Sequence, residues 1–101
     1  MKDVMSMNYM MTFSDGSVWA IPVSTIAIHH AGIFAENYDG DLVESLNKGT
    51  IPKFKDDFEA IRNWAITSMN WADVSDEAVK ISESTKINFY KEWIACSVQI
   101  K

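Results

Sequence analysis

His29 and His30 are the two histidines of the chain, and they are adjacent. Imidazole is the side chain best suited to proton transfer near neutral pH and to holding transition metals. Adjacent residues on a helix point about 100° apart, so this pair cannot easily ligate one ion together. A helical metal site needs ligands three or four residues apart and others from elsewhere. The expected arrangement is therefore one partly buried histidine and one exposed. Cys96 is the only cysteine, and with His29 or His30 as base it could act as a nucleophile. It alternates with Ile94, Val98 and Ile100, which reads as a small hydrophobe packed in a strand. Ser14 and Ser17 are explained by a turn and Ser24 by a helix cap. The four glycines are scattered, so there is no phosphate-cradling loop, and no H-E-x-x-H, C-x-x-C or G-x-S-x-G motif occurs. The sequence thus assigns no catalytic residue, no metal ligands and no cofactor.

Carboxylates recur in small groups: Asp39 with Asp41, Asp56 with Asp57, and Asp73 with Asp76 and Glu77. Asp41, Asp56 and Asp57 fall at helix starts, where free N–H groups and the helix dipole favour negative charge. Asp39-Gly40-Asp41 has an echo of a calcium loop, but the terminal bidentate glutamate and its spacing are missing. The remaining function for such residues is an acidic face that meets lysine and arginine on a partner, or mimics the phosphates of DNA. Trp64 and Trp71 are seven apart, about two helical turns, so they lie on similar faces. Trp64 is expected in the core. Trp71, beside Asn70 and Asp73 at a helix end, is the candidate exposed anchor, because exposed tryptophans are common at protein interfaces. Tyr90 belongs to a second candidate rim with Lys91 and Glu92. The candidate partner-binding set is therefore Trp71, Asp73, Asp76, Glu77 and Tyr90.

The elements that must position these residues follow from periodicity. Residues 7–22 read as a β-hairpin turning at Ser14-Asp15-Gly16-Ser17, since Asp-Gly between alternating runs is a strong hairpin signal. Pro22 should end the second strand. A helix is expected from Ser24, with Gly32 inside it, and the chain should break at Asn37-Tyr38-Asp39-Gly40. Asp41 and Glu44 have capping-box spacing for a short helix ending at Gly49, followed by an extended Ile51-Pro52. Asp56 and Glu59 repeat that spacing ahead of a helix over 57–70, with Phe58, Ile61, Ala65 and Met69 on one stripe and Trp64 flanking it. Residues 78–82 alternate, Ser82 to Lys86 is turn-like, Ile87 and Phe89 read as extended, and Trp93 to Ile100 reads as a half-buried strand. The fold class is α+β: a four-stranded, mostly antiparallel sheet, made of an N-terminal hairpin plus C-terminal strands, with two to three helices packed on one face.

Composition bounds the rest. The 101 residues carry nine Lys or Arg against 14 Asp or Glu, a formal charge of -5, with 48% apolar and 12% aromatic residues. That is one domain over 1–101, with 1–6 expected to be flexible, and not a disordered tail. No apolar run nears the roughly 20 residues of a spanning helix, no signal peptide is read at the N-terminus, and a net acidic chain is poorly suited to nucleic acid. Five methionines in the first 11 residues leave the true start open. The lone cysteine fits a reducing cytosol.

The string from Phe13-Ser14-Asp15-Gly16-Ser17-Val18-Trp19 to Pro22-Val23, the stretch Asp39-Gly40-Asp41 to Ser45-Leu46-Asn47, and Asn63-Trp64-Ala65 to Met69-Asn70-Trp71 together resemble small uncharacterised proteins of tailed bacteriophages. The resemblance runs through most of residues 9–74. It implies a small acidic protein, acting in the cytoplasm of a bacterial host, that binds and modulates or inhibits a host macromolecule. The expected partner is a host protein, and an anti-CRISPR or other inhibitor of a nucleic-acid-binding defence protein is the sharpest form of that expectation. No active residue carries over from it. The oligomeric state is left open, and a dimer is admitted. Two other readings stand beside this one. One is a small metal- or ligand-binding domain or enzyme using His29 and His30 with a carboxylate in a cleft. The other is a phage structural or assembly component.

Overall fold

The computed structural model describes residues 3–14, 16–80 and 89–101. Strands β1 (Asn8–Thr12) and β2 (Val18–Pro22) form the expected hairpin. Gly16 takes φ +85°, and the Phe13 N–H donates to the Ser17 carbonyl across the turn at 2.9 Å. A glycine pays no Cβ penalty at such a φ. Asp15 of that turn lies outside the described residues. The chain then runs through helix α1 (Val23–Phe34), a 3-10 turn over Ala35–Tyr38, and a long helix α2 over 42–56. Helices α3 (Phe58–Ser68) and α4 (Trp71–Val74) follow, then strand β3 (Val79–Lys80), helix α5 (Phe89–Ala95) and strand β4 (Ser97–Ile100).

Three antiparallel strands, β2, β1 and β4, make the body of the sheet, with β1 central. The two residues of β3 add to the outer edge of β2, giving the order β3-β2-β1-β4. The fold is α+β, but the expected four-stranded sheet with two to three helices is corrected on both counts. Three strands carry the sheet, and there are five helices among the described residues. The extra helices arise where short-range signals were read as breaks. Ile51-Pro52 is helical rather than extended, and Phe89 to Ala95 is a helix where an extended piece and the start of a strand were expected. Ile81 to Ile87, expected to hold the end of a strand, a turn and an extended piece, lies outside the described residues.

Alternation decides which face of the sheet is buried. Tyr9 stands opposite Ile21 and Ile100, and Met11 opposite Trp19 and Val98. These side chains share one face and join a core with Val23, Ile26 and Ala27 of α1, Phe54 of α2, Ile61 and Ala65 of α3, and Trp93 of α5. Trp71 and Trp93 add aromatic area there, with ring centroids 6.4 Å apart. Helix α1 starts one residue earlier than expected. Pro22 stands at its N-cap with no side-chain cap, and the Val23 N–H is satisfied by the Met7 carbonyl at 3.0 Å instead of by Ser24. At the N-terminus Asp3 caps a short turn over Val4–Ser6, and Val4 is buried.

Helix α2 has three parts: an α-helical Leu42–Ser45, a π turn over Leu46–Thr50, and an α-helical Ile51–Asp56. Asp41 caps its start, accepting the Glu44 N–H at 3.0 Å, as the capping spacing indicates. The π turn lies immediately before Pro52. Proline has no N–H and its ring excludes the carbonyl four residues back. Here the Ile51 N–H reaches five residues back to the Leu46 carbonyl, so the turn is already widened where proline enters. Gly49 does not end the helix. A Cβ there would stand 3.0 Å from the Tyr38 hydroxyl, so glycine allows that ring its close approach.

Candidate functional site

The π turn has a geometric consequence that decides the site. Residues five apart on an α-helix point about 140° apart, whereas a π turn brings them onto one face. Ser45 and Thr50 are five apart, both are buried, and both address α1. The Ser45 hydroxyl donates to the Ala31 carbonyl at 2.9 Å, and Thr50 Oγ1 lies 2.7 Å from His30 Nδ1. The widened turn is thus what aims Thr50 at His30. π turns of this kind are frequent at functional sites.

His30 is only 6% exposed and sits among Phe34, Phe54 and Trp64, with ring centroids 4.8, 5.2 and 4.6 Å away. His29 is half-buried beside it, and its Nδ1 accepts the Trp64 indole N–H at 3.0 Å. The two histidines therefore diverge as adjacency requires, and Trp64 bridges them. Beside this cluster lies a cleft of about 260 Å³ between α1, α2 and α3. His30 and Trp64 wall it, and Lys53, Asp57, Asn63 and Thr67 supply its polar atoms. Asp57 is positioned as the cap of α3, taking the Glu59 N–H on one carboxylate oxygen at 3.0 Å. Capping spacing was read from Asp56; the residue that caps is its neighbour.

Burial, with smaller contributions from the nearby Lys53 and His29 charges, holds His30 below the ordinary imidazole range. The unfolded chain then takes up a proton at higher pH than the folded one does. The stability that neutral His30 contributes is complete above about pH 6.5 and is lost as pH falls below it. We expect the melting temperature to drop between pH 7.5 and 5.5, and to drop less in His30→Asn, as differential scanning fluorimetry would show. An equal pH slope in the two proteins would exclude His30 as its source.

The residues proposed for a partner are placed elsewhere. Trp71 is 9% exposed and packs edge-on to Phe13 and Trp19 at 6.1 and 5.6 Å, so it presents little surface. Asp73 closes a capping box with Asn70, accepting its N–H at 2.9 Å. Asp76 and Glu77 are exposed in the turn after α4. The side chain of Tyr90 lies outside the described residues. Cys96 is buried, as its alternation with apolar residues suggested. Among the described residues no three His, Cys, Asp or Glu side chains gather around a metal position, and no helix is long and apolar enough to cross a membrane.

Sequence reasoning missed a second surface. Ile33 at the end of α1 is 57% exposed, and Leu42 and Val43 at the start of α2 are 42% and 65% exposed. The Ser45–Ala31 bond and the tight Gly40 to Ala35 link bring the end of α1 and the start of α2 together. Helix α1 is apolar nearly all round, which was the available signal, because such a helix is ordinarily covered on all sides. Compared with known proteins, the chain matches no family model, no curated protein and no solved structure.

Proposed function

We propose that the protein acts by binding another protein through the outer edge formed by α1 and the start of α2. The observation that carries this is the exposure of Ile33, Leu42 and Val43 on neighbouring helical segments. Exposed apolar side chains grouped in this way mark interaction sites on soluble proteins. Glu36, Asp39 and Asp41 lie along the same edge and are exposed, while Glu44 is paired with Lys48 at 2.6 Å. Three acidic side chains around an apolar contact favour a partner with a basic rim and speed its approach. A host protein bound by a phage-type inhibitor of cytoplasmic defence fits that description, and a basic partner surface that ordinarily holds nucleic acid is the narrowest form of the proposal. Asp76 and Glu77 would contribute long-range steering rather than contact.

A photo-crosslinking residue at position 33 tests this in bacterial lysate, with one at position 97 on the opposite side of the sheet as the control. We expect a specific adduct from position 33 alone, and its loss by at least tenfold in the Leu42→Asp/Val43→Asp protein at unchanged fold. Equal adducts from positions 33 and 97, or an adduct indifferent to the two substitutions, would refute the assigned edge.

A further inference from the structure

The cleft beside His30 holds polar groups that the packing does not use. Thr50 is fully buried, and His30 Nδ1 is the hydrogen-bond partner of its hydroxyl among the described residues. In the tautomer in which Thr50 donates to Nδ1, the imidazole hydrogen resides on Nε2. That Nε2 has no hydrogen-bond partner among the described residues, and His30 lines the cleft. Lys53 forms no ion pair among the described residues. Asp57 uses one carboxylate oxygen as a cap and keeps the other. Lys53 and Asp57 line the same cleft without pairing with each other.

A cleft presenting a cation, a neutral N–H and a separate carboxylate selects by charge. A simple anion meets repulsion from Asp57, and a simple amine meets it from Lys53. A ligand carrying both charges satisfies all three groups. The volume of about 260 Å³ suits a molecule of roughly ten to fifteen heavy atoms at most, and the Trp64 face offers it an apolar wall. We propose that this cleft binds a free α-amino acid with an apolar or aromatic side chain. Its carboxylate lies on Lys53 and the His30 Nε2–H, its ammonium on Asp57, and its side chain against Trp64.

The test titrates the full chain with phenylalanine and leucine, and in parallel with N-acetylphenylalanine, phenylalanine amide and inorganic phosphate, following the Trp64 indole and His30 ring signals by NMR. Saturable shifts at both rings with the free amino acids, weakened at least tenfold for both single-charge derivatives, are expected. Asp57→Asn keeps a capping side chain and should weaken amino-acid binding at least tenfold and phenylalanine amide further, with N-acetylphenylalanine bound no more weakly than before. Lys53→Met should weaken the amino acids and N-acetylphenylalanine, and not the amide. Absence of saturable shifts at millimolar amino acid overturns the proposal. So does equal binding of N-acetylphenylalanine, which would make the cleft a carboxylate site only, or binding of phosphate alone, which would make it an anion site.

Discussion

Trp93→Ala is expected to cost about 3–5 kcal/mol, the range for deleting a large aromatic from a packed core. The side chain is 1% exposed and meets Tyr9 at 5.7 Å and Trp71 at 6.4 Å between ring centroids. It also does something no aliphatic residue could do. Helix α3 ends at Ser68, so the carbonyl of Ala65 is among the last four that have no partner within the helix. The Trp93 indole N–H donates to that carbonyl at 2.9 Å, in the interior. Losing the ring opens a cavity and leaves the carbonyl unsatisfied. In a domain of this size, several kcal/mol correspond to a fall of some tens of degrees in melting temperature. Trp93→Phe separates the two effects. It keeps most of the apolar surface but removes the donor, and we expect it to cost about 1–3 kcal/mol for the orphaned carbonyl plus the smaller ring. Urea unfolding of the three proteins gives both figures. A Trp93→Phe protein as stable as the parent would show that water or a shifted backbone serves Ala65 instead.

Trp93 also illustrates what the sequence could and could not disclose. The tail alternates through Ile94, Cys96, Val98 and Ile100, and the strand is there, but only over Ser97–Ile100. The preceding turn of chain is helical because Trp93 must reach Ala65, 28 residues away, and no local period records such a contact. The hairpin was legible because its determinants are local: alternation on both sides of a turn whose Gly16 needs positive φ. Helix α3 was legible for the same reason, although Phe58, the first residue of its stripe, is 43% exposed. Trp71 was misplaced as an exposed anchor, since neighbouring Asn70 and Asp73 are polar. Those two are caps, and a cap is polar whatever the burial of the residue beside it. The site was half legible. Adjacency separates the two imidazoles, but His29 is half-buried against Trp64 rather than exposed. Thr50 and Lys53 could not be added, because the π turn that sets their faces follows no sequence pattern, and Asn63 joins them only through the packing of α3.

That turn yields the other large effect. Deletion of Lys48 removes one residue from the widened turn and should bring the helix back to α geometry. Pro52 would then meet the carbonyl four residues before it, a cost of about 3 kcal/mol or more. Ser45 and Thr50 would then stand four apart, about 40° on an α-helix, so Thr50 keeps its face against His30 and the buried Phe54 keeps its register. The loss is therefore the proline share, a large part of the stability of an ordinary domain, and the deletion protein should melt well below the parent by circular dichroism. Substitution at the same position gives the contrast. Lys48→Ala removes only an exposed ion pair with Glu44 and should leave the melting curve nearly where it was. Adding Pro52→Ala to the deletion should restore most of the lost stability. Thr50→Val in the intact chain should cost about 1–3 kcal/mol for the unpartnered His30 Nδ1 and should shift the His30 ring signals. A deletion protein that melts close to the parent would mean that Pro52 does not need the widened turn before it.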